Sequence, residues 1–438
     1  MRKILAAILC AGVLLLTNTI YAAIELSNED NAKQKVEEAI KLNKHGDYRN
    51  AIKLCNEAIK LDPTNNFIYL IRGSIHNNLK QYKKATEDLK SAFSVDIALG
   101  IFLDDLKSVY EKEIQDLNKV IELELSPDFS DLYYCRGNAY YKLKQYESAI
   151  QDFDKVIKLN PMYVVAYNGR ALAYTELGQY ERAVLDFNKA VELKPNDVEA
   201  YSGRALAYTK LGQCEQAIKD YDKFIKLNKK YVGAYLNRGY NYVKLGQYEQ
   251  AILDFNKVIE LKPNYAGAYN NRGIAYYHLG QYERAIQDYD KAIELNPNDV
   301  KAYVQRGWAY YCLKKYEQTI ADYDKAIQLN SNIAEAYYLR GFVYYALKQN
   351  EQAIQDYDKA IELNPNFSEA YCDRGEAYYY LKNYTQAFAD LNKAIELGIN
   401  GIDLGETLYY RGLCYKELGD EAKSQADFDK AKELGYEE

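Results

Sequence analysis

The sequence predicts an all-α fold, a solenoid of about twelve helix-turn-helix hairpins of 34 residues each. Three observations predict it. The stretch Ala266–Asp299, AGAYNNRGIAYYHLGQYERAIQDYDKAIELNPND, reappears with substitutions when the frame is shifted by 34 residues in either direction. All seven prolines, Pro63, Pro127, Pro161, Pro195, Pro263, Pro297 and Pro365, fall in one column of that repeat, so proline acts as punctuation. Small residues also recur in fixed columns. The Gly273 column holds Ala39, Gly73, Gly137, Ala171, Ala205, Gly239, Gly307, Gly341, Gly375 and Gly412. A repeat of this length marks stacked units, because one hairpin cannot bury both its faces alone.

Within the reference unit, Tyr269, Gly273, Tyr276 and Leu279 lie three or four apart and share one helix face. Gly280 follows, and a glycine just past a helix end supplies the left-handed residue that closes it. Tyr282, Ala285, Ile286, Tyr289, Ala292 and Ile293 form the stripe of a second helix. Asn296 precedes Pro297 and resists the helical region, so the second helix stops there. The Ala285 column holds Ala51, Ala85, Ala149, Ala183, Ala217, Ala251, Ala353 and Ala387, with Thr319 and Ser424 as small substitutes.

Met1–Ala22 reads as a secretory signal peptide: Arg2 and Lys3 form a basic start, Ile4–Leu16 an apolar core, and Ile20-Tyr21-Ala22 a cleavage site. The apolar core is short for a bilayer span. Residues 23–31 form a polar lead. Residues 32–129 hold the N-terminal units, two clear and one degenerate. In the third, Glu113–Leu123 reads as a second helix while the first is several residues short. Eight regular units occupy 130–401. Residues 402–438 comprise a three-residue insertion, Ile402–Leu404, and the last unit.

The 56 basic and 63 acidic residues give a net charge of −7. Loss of Arg2 and Lys3 leaves 54 basic residues and a charge of −9. An acidic chain has no general attraction for nucleic acid or anionic lipid, and no segment after the leader is apolar enough to enter a membrane. The 47 tyrosines fall mostly in repeat columns, where packing between helices explains them. Six cysteines follow the leader in different columns without a C-x-x-C, and the three histidines lack metal-ligand spacing. No catalytic motif stands out, and the repeat places its many acid pairs on solvated faces. The expectation is therefore no catalysis, no cofactor and no metal.

An arginine column runs through the repeats, including Arg272 and Arg306, and an aspartate column follows sixteen residues later, including Asp288 and Asp322. Every such arginine has its aspartate. Partly buried charges need partners, so these columns read as a structural ladder of ion pairs.

A 34-residue helical hairpin with Tyr269, Gly273, Tyr276, Ala285, Tyr289 and Pro297 in these places resembles the tetratricopeptide repeat (TPR). Two departures recur: tyrosine stands for the pattern's tryptophan, and Arg272 for its leucine. The resemblance covers roughly residues 32–438 and implies a right-handed superhelical solenoid that binds protein or peptide along its concave face. It places Gly267, Asn270, Asn271, Ile274, Tyr277 and His278 of the reference unit on that face. The lysine and asparagine that clamp a C-terminal carboxylate in chaperone-binding members have no match here.

The groove candidates are Asn237, Asn271 and Gln305 in one column, with Asn270, Tyr240, Tyr277, Trp308 and Tyr311 beside them. Further on the lining turns acidic at Glu335, Glu369, Asp373 and Glu376. The reading is an exported bacterial protein, periplasmic or secreted, that binds protein or peptide as a non-catalytic scaffold. The alternative is a component of an envelope-assembly or secretion complex that binds through its outer faces. The leader makes one prediction: intact-mass measurement of the exported protein finds a chain beginning near Ala23. A mass that retains Met1–Ala22 overturns export by cleavage in favour of an anchored form.

Overall fold

A computed structural model describes residues 31–63, 65–79, 81, 84, 87–88, 91, 106–122 and 130–436. The expected signal peptide, most of the polar lead and the first helix of the third unit lie outside the described residues. The chain divides into two compact units, Met1–Leu227 and Asn228–Glu438. The division falls inside the run of eight regular repeats.

In the second unit, helices of 13 and 14 residues alternate from Val232–Lys244 and Tyr248–Leu261 onward, with Ala266–His278 and Tyr282–Leu295 as the reference hairpin. The first unit repeats the pattern, as in Val164–Glu176 and Tyr180–Leu193. Two helices differ from the expected boundaries. The second helix of the third repeat spans Leu106–Glu122, because its added first residues, LKSVYEK, hold no glycine or proline to stop it. Ile402–Leu404 are not a linker: they lie within a 17-residue helix, Gly401–Glu417, that opens the last hairpin.

The turn chemistry follows the expected logic with one variation. Gly178, Gly212, Gly246 and Gly280 take the left-handed conformation, with φ of 71–72°. Lys144, Lys314, Lys348 and Lys382 take it elsewhere, with φ of 59–62°. A side chain there is strained, so tertiary packing rather than residue preference sets the bend in those hairpins.

Inside most described hairpins an aromatic ring of the second helix lies on the small residue of the first, with Leu391 taking that place against Gly375. A Cβ added to Gly273 would stand 2.7 Å from Cε1 of Tyr289. Phe153 lies in the same way against Gly137 and also against Gly169 of the next hairpin, so one ring joins two repeats. Tyr289 and Tyr323 are fully buried, and their hydroxyls have no hydrogen-bond partner. Phenylalanine fills the same column at Phe153, Phe187 and Phe255, so ring volume is what the position requires.

The arginine column forms the regular electrostatic link. Nε and Nη2 of Arg272 donate to the two oxygens of Asp288 at 2.8 and 2.6 Å, and Arg306 grips Asp322 in the same bidentate way. The third donor reaches a helix of the preceding hairpin. Nη1 of Arg272 donates to Asn256, and Nη1 of Arg306 to Asp290. In the first unit, Nη1 of Arg170 meets Asp154 and that of Arg204 meets Asn188. The hydrogen bonds that Arg272 donates to Asp288 raise its pKa above the ordinary arginine value, so the guanidinium stays charged.

The bidentate contact yields a stability prediction. Asp288→Ala leaves the enclosed guanidinium of Arg272 with Asn256 alone and costs about 1–3 kcal/mol. Glu283→Ala, at an exposed site one turn earlier, costs much less. Equal denaturation midpoints for the two variants overturn a structural role for the ladder.

Candidate functional site

The candidate residues all lie in the second compact unit, on the first helices of successive hairpins. Asn237 and Tyr240 are exposed on Val232–Lys244. Asn270, Asn271 and Tyr277 are half-buried on Ala266–His278, and Gln305, Trp308 and Tyr311 are half-buried on Val300–Cys312. Residues 237, 271 and 305 are 34 apart, so one helical register presents each at the same place in its hairpin.

The structure brings part of this set together. Trp308 stacks on Tyr311, with ring centroids 5.2 Å apart and planes within 9° of parallel. Phe342 packs against both rings, at 6.1 and 5.5 Å. The Tyr277 hydroxyl sits 3.6 Å from Sγ of Cys312, and burial raises its pKa above the usual tyrosine range. Tyr240 takes a different partner, with the ammonium of Lys244 5.4 Å from its ring centre. Phe342 was missed as a site residue although it lies 34 residues after Trp308, so the column itself carried the signal. Oδ1 of Asn270 is enclosed without a hydrogen-bond partner. The side chains of Asn237, Asn271 and Gln305 are left free of internal hydrogen bonds.

The acidic end of the same face is not a solvated lining. Glu335 and Glu369 are exposed, as expected for groove residues, but Glu376 is only 4% exposed. Asp373 is half-buried as a residue, and its Oδ2 is enclosed without a partner. The register explains the difference. Asp373 and Glu376 lie on the face of Ser368–Tyr380 that packs toward Gly401–Glu417, where Thr407 is fully buried. The Tyr345 hydroxyl donates to Oε2 of Glu376 at 2.9 Å, and the Cys372 thiol lies 3.7 Å from its Oε1.

No metal-ligand spacing was visible in the sequence, yet the structure gathers one donor set. One ligand atom from each of Cys372, Asp373 and Glu376 lies within 4.8 Å of the others. The i, i+1, i+4 pattern that groups them was legible, but nothing in the sequence showed that this stretch is buried. The six cysteines after the leader are all free thiols.

Comparison with known proteins places the repeat. Profiles described as "Tetratricopeptide repeat" match residues 42–65, 130–163, 266–299, 288–321, 334–367, 356–389 and 406–434. One described as "TPR repeat" matches 171–212, 205–246, 239–280 and 307–348. Together they span most of the chain. The chain belongs to the tetratricopeptide repeat family.

Among curated relatives of this TPR chain, anaphase-promoting complex subunit 3 of Schizosaccharomyces pombe is 29% identical over 118 residues, 26% of this chain and 18% of that protein. Small glutamine-rich tetratricopeptide repeat-containing protein 2 of Saccharomyces cerevisiae is 35% identical over 85 residues, 18% of this chain and 24% of that protein. The matched stretch thus spans less than a quarter of either relative. A tetratricopeptide repeat protein from Parabacteroides merdae aligns over 57% of this chain and 98% of its own, with 22% identity and a TM-score of 0.47. YrrB, titled a TPR protein with an unusual peptide-binding site, aligns over 42% of this chain and 95% of its own, with 26% identity and a TM-score of 0.36. As a TPR array, the chain is a protein-interaction scaffold. No described helix is long and apolar enough to cross a membrane.

The electrostatics of the acidic end make a pH prediction for this TPR protein. Burial pushes the Asp373 carboxyl up to about 7, opposed by a hydrogen bond from Tyr338 and reinforced by Glu406, Asp403 and Glu369. Burial also lifts Glu376 well above the carboxylate range, with Asp373 and Glu406 adding to it. An acid whose folded pKa is raised binds its proton more tightly in the folded state. Its contribution is therefore most favourable below the unfolded pKa and is lost as pH rises through the folded one. For Asp373 that window runs from 3.8 to about 7. In chelator-containing buffer, stability falls between pH 5 and pH 8, and Asp373→Asn removes part of the fall. A variant with the wild-type slope overturns the assignment.

Proposed function

We propose that the protein is an exported, non-catalytic scaffold that binds an extended peptide or protein segment along the first helices of its second unit. The single observation that carries this reading is the set of unused carboxamides on one register. Asn237, Asn271 and Gln305 are exposed or half-buried, and their side-chain amides make no hydrogen bonds among the described residues. Each carboxamide offers one acceptor and two donors, so it can bond both N–H and C=O of an extended backbone. Such bonding gives affinity without demanding one sequence. Asn270 adds an enclosed oxygen still lacking a donor.

The stacked Trp308–Tyr311 pair with Phe342 supplies rigid apolar area beside the amides. Aromatic side chains of this kind bury much surface at low entropic cost. The resemblance implies a binding face at these positions and so supports the reading, and the apolar, basic-headed leader supports export. The alternative, docking through outer faces, rests on exposed apolar side chains such as Met162, Leu185 and Leu253, each 68% exposed, and individual side chains of this kind are ordinary on protein surfaces.

The test replaces Asn237, Asn271 and Gln305 together by alanine and measures affinity for a peptide selected from a random library on the mature wild-type protein. Kd is expected to rise at least tenfold, about 1.4 kcal/mol, with little change in melting temperature. Unchanged affinity in a folded triple variant removes the amide column from the binding surface and favours the outer faces.

A further inference from the structure

We propose that Cys372, Asp373 and Glu376 bind a divalent transition-metal cation of the zinc class. The three residues share one face of the helix Ser368–Tyr380, since Cys372 and Glu376 are four apart and Asp373 and Glu376 three apart. Sγ of Cys372 lies 3.7 Å from Oε1 of Glu376. A tetrahedral zinc with sulfur at about 2.3 Å and oxygen at about 2.1 Å sets that separation at about 3.6 Å.

The second, independent observation is the state of Asp373. Its Oδ2 is sealed from solvent and accepts no hydrogen bond, and one of its carboxylate oxygens lies within 4.8 Å of a ligand atom from each of Cys372 and Glu376. Neither Asp373 nor Glu376 forms an ion pair with a lysine or arginine. Enclosed carboxyls are ordinarily paired or coordinate a metal. A cation bound by the Asp373 carboxyl would give a partner to an enclosed group whose Oδ2 has none.

The surroundings hold the donors as outer partners of a metal site do. The Tyr345 hydroxyl occupies Oε2 of Glu376 and leaves Oε1 facing Cys372. Thr407 Oγ1 donates to the Asp403 carbonyl at 2.7 Å and lies 3.1 Å from the Cys372 sulfur, so the helix Gly401–Glu417 packs directly on that thiol. Exposed Asp403 and Glu369 and half-buried Glu406 lie around the two carboxyls and give a cation an acidic approach. A thiolate beside two carboxylates suits zinc or cobalt, whereas calcium and magnesium take oxygen donors alone. Three protein ligands leave a fourth position for water. Binding transfers the thiol proton, and any proton on the carboxyls, to solvent; no electron moves.

The test uses the whole mature chain, stripped with chelator and titrated with Co²⁺ and then Zn²⁺. One equivalent of Co²⁺ is expected to bind with near-ultraviolet thiolate-to-cobalt absorption, and Zn²⁺ to displace it and raise the melting temperature. Cys372→Ser should abolish the absorption, while Cys312→Ser keeps it. Glu376→Gln and Asp373→Asn should each weaken Zn²⁺ binding about tenfold or more, with helical circular dichroism unchanged. Should Cys372→Ser fail to fold, the two carboxyl variants decide. Absence of stoichiometric uptake by folded wild-type protein, or uptake unaltered in the folded variants, overturns the site.

Discussion

The guanidinium that recurs from Arg136 to Arg411 is the contact on which the rest of the stack depends. One planar group binds three helices: the one that carries it, its partner in the hairpin through the paired aspartate, and a helix of the preceding hairpin through Nη1. Two parallel bonds to one carboxylate fix orientation as well as distance, which lysine in the same place could not do. Apolar columns alone would let neighbouring hairpins slide or rotate, because dispersion has little directionality. The guanidinium sets the register, and the rings on Gly273 and its counterparts fill the space that the register defines.

The same contact accounts for both departures from the usual TPR pattern. Tyr269 stands where the family has tryptophan, and Arg272 where it has leucine. The guanidinium carbon of Arg272 lies 5.6 Å from the Tyr269 ring centre and 5.9 Å from that of Tyr276, so two tyrosines flank the charge. The Tyr269 hydroxyl donates to the Pro263 carbonyl at 3.1 Å and closes the loop before its helix. A leucine there would give the aromatic faces nothing to polarise, and a tryptophan has no hydroxyl for that carbonyl. The two substitutions belong together as one arrangement of charge, π-face and hydrogen bond.

Much of the fold was legible because the period writes it many times. The glycine, alanine, proline, arginine and aspartate columns each carry one physical requirement, and a requirement repeated at 34-residue spacing separates from residue noise. Less legible was whatever crosses between hairpins. The acceptor for Nη1 stands two residues after the paired aspartate, as Asp290 after Asp288, and looks like an ordinary surface acid in the sequence. The helical run through Ile402–Leu404 had no columnar precedent. At the candidate site the register of the amides was visible, but the burial of Glu376 was not. Its column holds Tyr240, Trp308 and Phe342 in other repeats, and the carboxyl is enclosed between Tyr345 of the preceding hairpin and the helix Gly401–Glu417.

This division between constant and variable columns explains how one scaffold carries several chemistries. From Arg136 to Arg411 the arginine, the glycine or alanine after it and the paired aspartate are fixed by their neighbours, so change there costs stability. The positions one residue before the arginine are released from that duty and read Asn237, Asn271, Gln305, Leu339 and Asp373 through the second unit. Two residues beyond the arginine, the series is Tyr240, Ile274, Trp308, Phe342 and Glu376. The face thus passes from amides through aromatics to enclosed acids while the backbone beneath it repeats. Each repeat contributes a different group at a distance set by the ladder, not by the group itself. Recognition can therefore vary along the array without altering the contacts that hold it together.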